Sequence, residues 1–84
     1  MNKEINVKIN EIAKLKDFVH DTESFMSDID VIKGHYVIDA KSVMGMFSLD
    51  LSKEVVVRIN SEDENEIARF NELMAKYASE NTGN

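Results

Sequence analysis

Four stretches of this chain alternate, with apolar residues recurring at every second position. Ile5, Val7 and Ile9 flank Asn6 and Lys8; Ile29 and Val31 alternate with Asp30 and Ile32; Tyr36 and Ile38 stand on either side of Val37. Val55, Val57 and Ile59 form a β-branched run with Arg58 on the opposite face, and only Val56 is hard to place. A period of two marks a strand with one buried face. Four such strands make a sheet with one face to cover, so the helices must gather on a single side.

Two longer segments supply that cover. Ile12, Leu15, Val19, Thr22 and Met26 recur at three- and four-residue intervals, with Phe18 and Phe25 widening the stripe. The spacing predicts an amphipathic helix of roughly four turns, with Asn10 as its N-cap. Near the C-terminus, Ile67, Phe70, Met74 and Tyr77, joined by Leu73, form a second stripe. Ser61 is its expected cap, and the acidic residues that follow suit the positive end of a helix dipole. Gly34-His35 separates the second and third strands and reads as a hairpin turn. The expected fold is α+β, an open-faced two-layer sandwich in the order β-α-β-β-α-β-α, with a four-stranded antiparallel sheet and helices on one face. Residues 1–84 form one domain, with an ordered core over about 3–78 and a polar tail over 79–84.

Composition narrows the function. Sixteen acidic residues against ten basic ones leave a net charge of −6. That field repels phosphate backbones and anionic lipid, so direct nucleic-acid binding is not expected and a protein partner is. The absence of cysteine excludes disulfides and thiolate metal sites. No apolar run reaches membrane-spanning length and no signal-peptide core opens the chain, so a cytoplasmic location without membrane insertion is expected.

Catalytic groups are not apparent. His20 falls on the polar side of the first helix and His35 at the hairpin tip, neither with a second metal ligand three or four residues away. Glu62 and Glu66 have helical spacing and read as solvated charges at a helix start. Nucleotide-binding loops, a nucleophile elbow and a cofactor fingerprint are missing. The expectation is a protein that is not an enzyme and uses no cofactor or metal.

One stretch stands apart. In DAKSVMGMFSLDL, from Asp39 to Leu51, Ser42 opens a helix expected to end near Asp50. A helix so short cannot bury Val43, Met44, Met46, Phe47, Leu49 and Leu51 together, because they point around most of its circumference. With Met46, Leu49 and Leu51 facing the sheet, Val43, Met44 and Phe47 are left outward as a docking patch, and methionine adapts to varied partners. Ser42 serves as an N-cap. A phosphate on its hydroxyl would meet the helix's own N–H groups beside that patch.

This stretch closely resembles the regulatory segment of HPr, the histidine-containing phosphocarrier of the bacterial sugar phosphotransferase system, and the element order resembles that family's fold from about Ile5 to Tyr77. The resemblance implies that Ser42 is the serine modified by HPr kinase/phosphorylase. It implies that Val43, Met44 and Phe47, with Lys41 beside them, meet the first enzyme of the system, the kinase or a catabolite-control transcription factor. Members of the family carry phosphate on a histidine within a Gly-[Ile/Leu]-His-Ala-Arg-Pro-Ala motif. Here the region reads KINEIAKLKDF, with Glu11 near the histidine position and Ala13 near the arginine. In keeping the serine while lacking that histidine, the chain is similar to an HPr paralogue of some bacteria that acts in carbon catabolite repression. The reading is a regulatory interaction domain. Its rivals are a phosphocarrier with its acceptor moved to His20 or His35, and a homodimeric scaffold in which Ser42 only caps.

Overall fold

The structure is a computed structural model that describes residues 3–42 and 53–78. Its strands are β1 (Glu4–Val7), β2 (Asp28–Lys33), β3 (Tyr36–Asp39) and β4 (Val55–Asn60). The helices are α1 (Ile12–Thr22) and α2 (Glu64–Met74), and a short 3-10 turn follows over Ala75–Tyr77. The four strands form one antiparallel sheet in the order β1-β4-β2-β3. This is the expected open-faced sandwich. The short helix expected after Ser42 and the polar tail over 79–84 lie outside the described residues.

Register explains how one face becomes the core. Ile5 opposes Val57, Val7 opposes Val55, Ile29 opposes Ile59, and Val31 lies between Val57 and Ile38. These side chains meet Leu15, Phe18 and Val19 of α1 and Ile67, Phe70 and Met74 of α2 in one apolar cluster. Fully burying each such side chain contributes about 1.5–3 kcal/mol. Two edge-to-face aromatic pairs tie α1 and the loop after it to α2 and the turn that follows: Phe18 to Tyr77 at 5.5 Å between ring centres, and Phe25 to Phe70 at 6.3 Å. Gly34 turns the β2–β3 hairpin at φ 59°, where a side chain would be strained though no neighbour crowds it.

The sheet's two edges differ. Beyond β1, Ala78 bridges to Val7 and Lys8 donates to the Tyr77 carbonyl at 3.0 Å, so the end of the described chain covers that edge. β3 lies at the other edge.

Helix ends depart from expectation. α1 is three turns, not four: it stops at Thr22, and Glu23 and Ser24 reverse the chain so that Phe25 turns inward and Met26 outward, 95% exposed. Ile12, expected in the buried stripe, is 62% exposed because it opens the helix beyond the packed layer. Glu11 rather than Asn10 occupies the α1 cap position. For α2 the cap is Asp63, not Ser61; its carboxylate accepts from the N–H groups of Asn65 and Glu66, while Ser61 accepts from the Asp63 N–H one turn earlier. Tyr36, read as inward-facing, is exposed at the hairpin tip.

Candidate functional site

The approach to Ser42 is built from a tight turn anchored to the C-terminal end of α1. Asp39 ends β3; its carboxylate accepts from the Lys41 N–H and its carbonyl from the Ser42 N–H, both at 2.9 Å. This is the local chemistry that makes aspartate a turn former. Ala40, fully buried, donates to the Ile29 carbonyl at 2.8 Å. The Thr22 hydroxyl donates to the Val19 carbonyl at 2.8 Å and lies 3.5 Å from that of Ala40. Lys41 folds back so that its ammonium donates to the Phe25 carbonyl at 3.2 Å. Ser42 is therefore half-buried at the end of a segment held by three separate elements. Val43, Met44 and Phe47 lie outside the described residues.

The loop receiving Lys41 is itself clamped. Glu66 of α2 accepts from the Met26 N–H at 3.0 Å and from the Ser27 hydroxyl. Arg69 donates to the Ser24 hydroxyl and carbonyl at 3.1 and 2.9 Å, and its guanidinium stacks 4.2 Å from the Phe25 ring centre. Glu66 is thus not the solvated charge its position near a helix start suggests. Its side chain is only 14% exposed, and the Ser27 hydroxyl, then the Met26 N–H, hold its carboxyl below the usual range. Glu62, expected one turn earlier on the same helix, precedes α2 and pairs with Lys3 at 2.8 Å.

A second fastener lies at the same end of α1. Asp21 accepts from the Tyr77 hydroxyl at 2.7 Å and pairs with Lys76 at 2.9 Å. Burial pushes the Asp21 carboxyl up, but hydrogen bonds from Lys76 and Tyr77 outweigh it, and the net shift is downward. Burial, with the Asp21 carboxylate beside it, raises the Tyr77 phenol well above its ordinary value.

The other end of α1 carries none of this. Glu11 is exposed and its side chain makes no capping bond; only its carbonyl enters the helix, accepting from Leu15 at 3.0 Å. Ala13, the second residue of the helix, is exposed. The chain has two arginines, and neither serves this junction. Arg58 pairs with Glu4 and Asp30 on the sheet, and Arg69 is held at Ser24. His20 lies exposed in the last turn of α1, about 13 Å along the axis from Glu11 at 1.5 Å per residue. His35 occupies the β2–β3 turn, remote in the topology from the end of α1 that bears His20. Among the described residues no three His, Asp or Glu side chains come together as a metal site, and no helix is long and apolar enough to cross a membrane.

Sequence reasoning missed the Glu66–Arg69 clamp. The one available signal was their i, i+3 spacing, which puts both on one face of α2. Their targets in the Ser24–Ser27 loop are some forty residues away in the chain and leave no local trace.

Known proteins place this arrangement. The family profile described as the PTS HPr component phosphorylation site matches residues 13–79, beginning two residues after Glu11. HPr-C-His from Thermoanaerobacter tengcongensis is similar in structure, with a TM-score of 0.70 and 27% identity over 89% of this chain and 92% of that one. The phosphocarrier protein HPr from Bacillus anthracis str. Ames shares the fold, with a TM-score of 0.66 and 23% identity over 92% of this chain and 94% of that one. No curated protein matches the chain. Proteins of the HPr family are phosphocarriers rather than enzymes, and they act with other proteins of the phosphotransferase system. By fold, strand order and the extent of the profile match, the chain belongs to the HPr family of the phosphotransferase system.

Proposed function

We propose that this HPr-family chain is a regulatory docking domain rather than a histidine phosphocarrier, with Ser42 as its switch and Val43, Met44 and Phe47 as its contact patch. The observation that carries the reading is the start of α1. Where the family motif sets a histidine and an arginine, this chain sets Glu11 and Ala13, both exposed, and its arginines are engaged elsewhere. A carboxylate without a neighbouring guanidinium is a poor phosphoryl acceptor and a poor donor to the next protein.

The Ser42 side of the proposal follows from charge. In the modification, a kinase moves the terminal phosphoryl group of ATP to the Ser42 oxygen, releasing ADP and the hydroxyl proton. The product brings about −1.5 to −2 charges next to the turn whose carboxylate belongs to Asp39. Lys41, the neighbouring cation, already donates to the Phe25 carbonyl, so it offers the phosphate only its remaining N–H groups. Phosphorylation would therefore disturb the Asp39–Ser42 turn as well as charge the patch. A partner that buries the patch loses affinity through desolvation, and one that offers Arg or Lys gains it. The partners in view are HPr kinase/phosphorylase, the first enzyme of the phosphotransferase system and a catabolite-control regulator.

The test is incubation with an HPr kinase and ATP, followed by intact mass. The expected result is one phosphate on the wild type and none on Ser42→Ala. An unmodified wild type removes the switch.

A further inference from the structure

The sheet's open face, opposite both helices, is not uniformly polar. Its registers align Val37 of β3 with Ile32 of β2 and Ile32 with Val56 of β4. The three lie in one row across three strands, spanning about 10 Å at the usual strand spacing. Val37 is 58% exposed, and the other two are only partly covered. Val56, the residue that the alternation of β4 did not explain, thus belongs to an apolar ridge.

The next row, two residues along each strand, is charged. Asp39 opposes Asp30, and Asp30 opposes Arg58, which opposes Glu4. Like charges directly across a strand pair are destabilising. Asp30 finds relief from the Asn60 amide at 2.8 Å and from Arg58 at 3.6 Å. Among the described residues the Asp39 carboxylate receives the Lys41 N–H and pairs with no cation. Asp28, opposite Asn60, adds a further carboxylate to this face. Among the described strand residues of this face Arg58 is the one base, and it reaches Glu4 and Asp30 only at 3.7 and 3.6 Å, with its Nε buried and unbonded.

We infer that this face docks a protein segment with an apolar ridge flanked by Lys or Arg, the ridge over Val37, Ile32 and Val56 and the cations over Asp39 and Asp30. Charge selects this occupant over a second copy of the chain. Two such faces would bring their carboxylate excess together, whereas a basic segment relieves the Asp30–Asp39 opposition and covers the ridge at once. The surface lies on the side of the sheet away from α1 and meets the Ser42 turn at Asp39.

The experiment titrates the whole chain with a synthetic amphipathic peptide, a leucine stripe flanked by lysines, and with the same peptide carrying glutamates. Methyl and amide NMR is the readout. The lysine peptide should shift the signals of Val37, Ile32, Val56 and Asp39 saturably, and the glutamate peptide should not. Val37→Ser and Val37→Asp should each weaken binding, the latter tenfold or more. Asp39→Asn should weaken it about threefold and flatten its dependence on salt. Amide spectra of the free variants verify that they remain folded. Shifts confined to residues 42–47, or spread evenly over every acidic surface, would overturn the inference. Concentration-dependent self-association through Val37 would overturn it too, by making the occupant a second copy.

Discussion

The two ends of α1 are built to different standards. At its C-terminal end Thr22, Ser24 and Phe25 are held by hydrogen bonds, a stacked guanidinium and an aromatic pair, and Asp21 is tied to Lys76 and Tyr77. At its N-terminal end Glu11 contributes no side-chain cap and Ile12 stands in solvent. The helix is about 16 Å long at 1.5 Å per residue, so these are separate surfaces. What the contrast teaches is where the fold commits its contacts. The braced end is the one against which the Ser42 turn is anchored. The loose end is the one where, in the function proposed above, the family's histidine would stand.

The largest effect tests the braced end. Phe70 is fully buried and packs edge-on against Phe25. Phe70→Ala should cost about 3–5 kcal/mol in denaturant unfolding. The amides of Phe25 and Lys41 should also exchange faster, whereas a loss without faster exchange there would mean that the ring does not brace the loop.

Next in size is the Glu66 clamp. Glu66→Ala leaves the Met26 N–H and the Ser27 hydroxyl without their acceptor and should destabilise by about 1–3 kcal/mol. Asp21→Asn should cost about 1–2 kcal/mol at neutral pH through the weakened Lys76 and Tyr77 bonds. The Asp21 carboxyl is depressed on folding, so its contribution is present above the usual 3.8 and disappears as pH falls through the lower folded value. Acid unfolding of Asp21→Asn should accordingly lose part of the pH dependence seen in the wild type below about pH 4. Tyr77 acts on the opposite side: its raised phenol favours folding up to the ordinary value of 10.0, and the benefit fades as pH climbs beyond it.

The smallest effects belong to the loose end. Glu11→Ala removes no capping bond and should change stability by less than about 0.5 kcal/mol. Glu11→Ser should add a cap and raise stability by roughly 0.5–1 kcal/mol. A large loss from Glu11→Ala in thermal unfolding would erase the contrast between the ends.

The sheet was legible because its period of two records which face each side chain takes. The inward placing of Val7, Ile29, Val31, Val57 and Ile59 follows from that pattern alone. Helix stripes were legible at Leu15, Val19, Phe70 and Met74, and misleading at Ile12 and Met26. Met26 continues the spacing of α1 yet points outward, because the chain reverses at Glu23–Ser24 and the spacing holds no record of that. Asp63 displaced Ser61 as cap for a related reason: several capping residues stand in a row, and the path of the chain from β4 decides which one meets the free N–H groups. Val56 was opaque within its own strand and became intelligible only beside Ile32 and Val37. Ser42 was marked by its local motif, and what anchors it was not, since Thr22, Phe25 and Ile29 reach it through the fold.

The most direct test of the account compares two phosphate sources on the same chain by intact mass and site mapping. One sample receives phosphoenolpyruvate and the first enzyme of the phosphotransferase system, the other ATP and an HPr kinase. The account predicts no phosphate in the first and a single acid-stable phosphate on Ser42 in the second. An acid-labile phosphate from phosphoenolpyruvate on His20, His35 or Glu11 would contradict it.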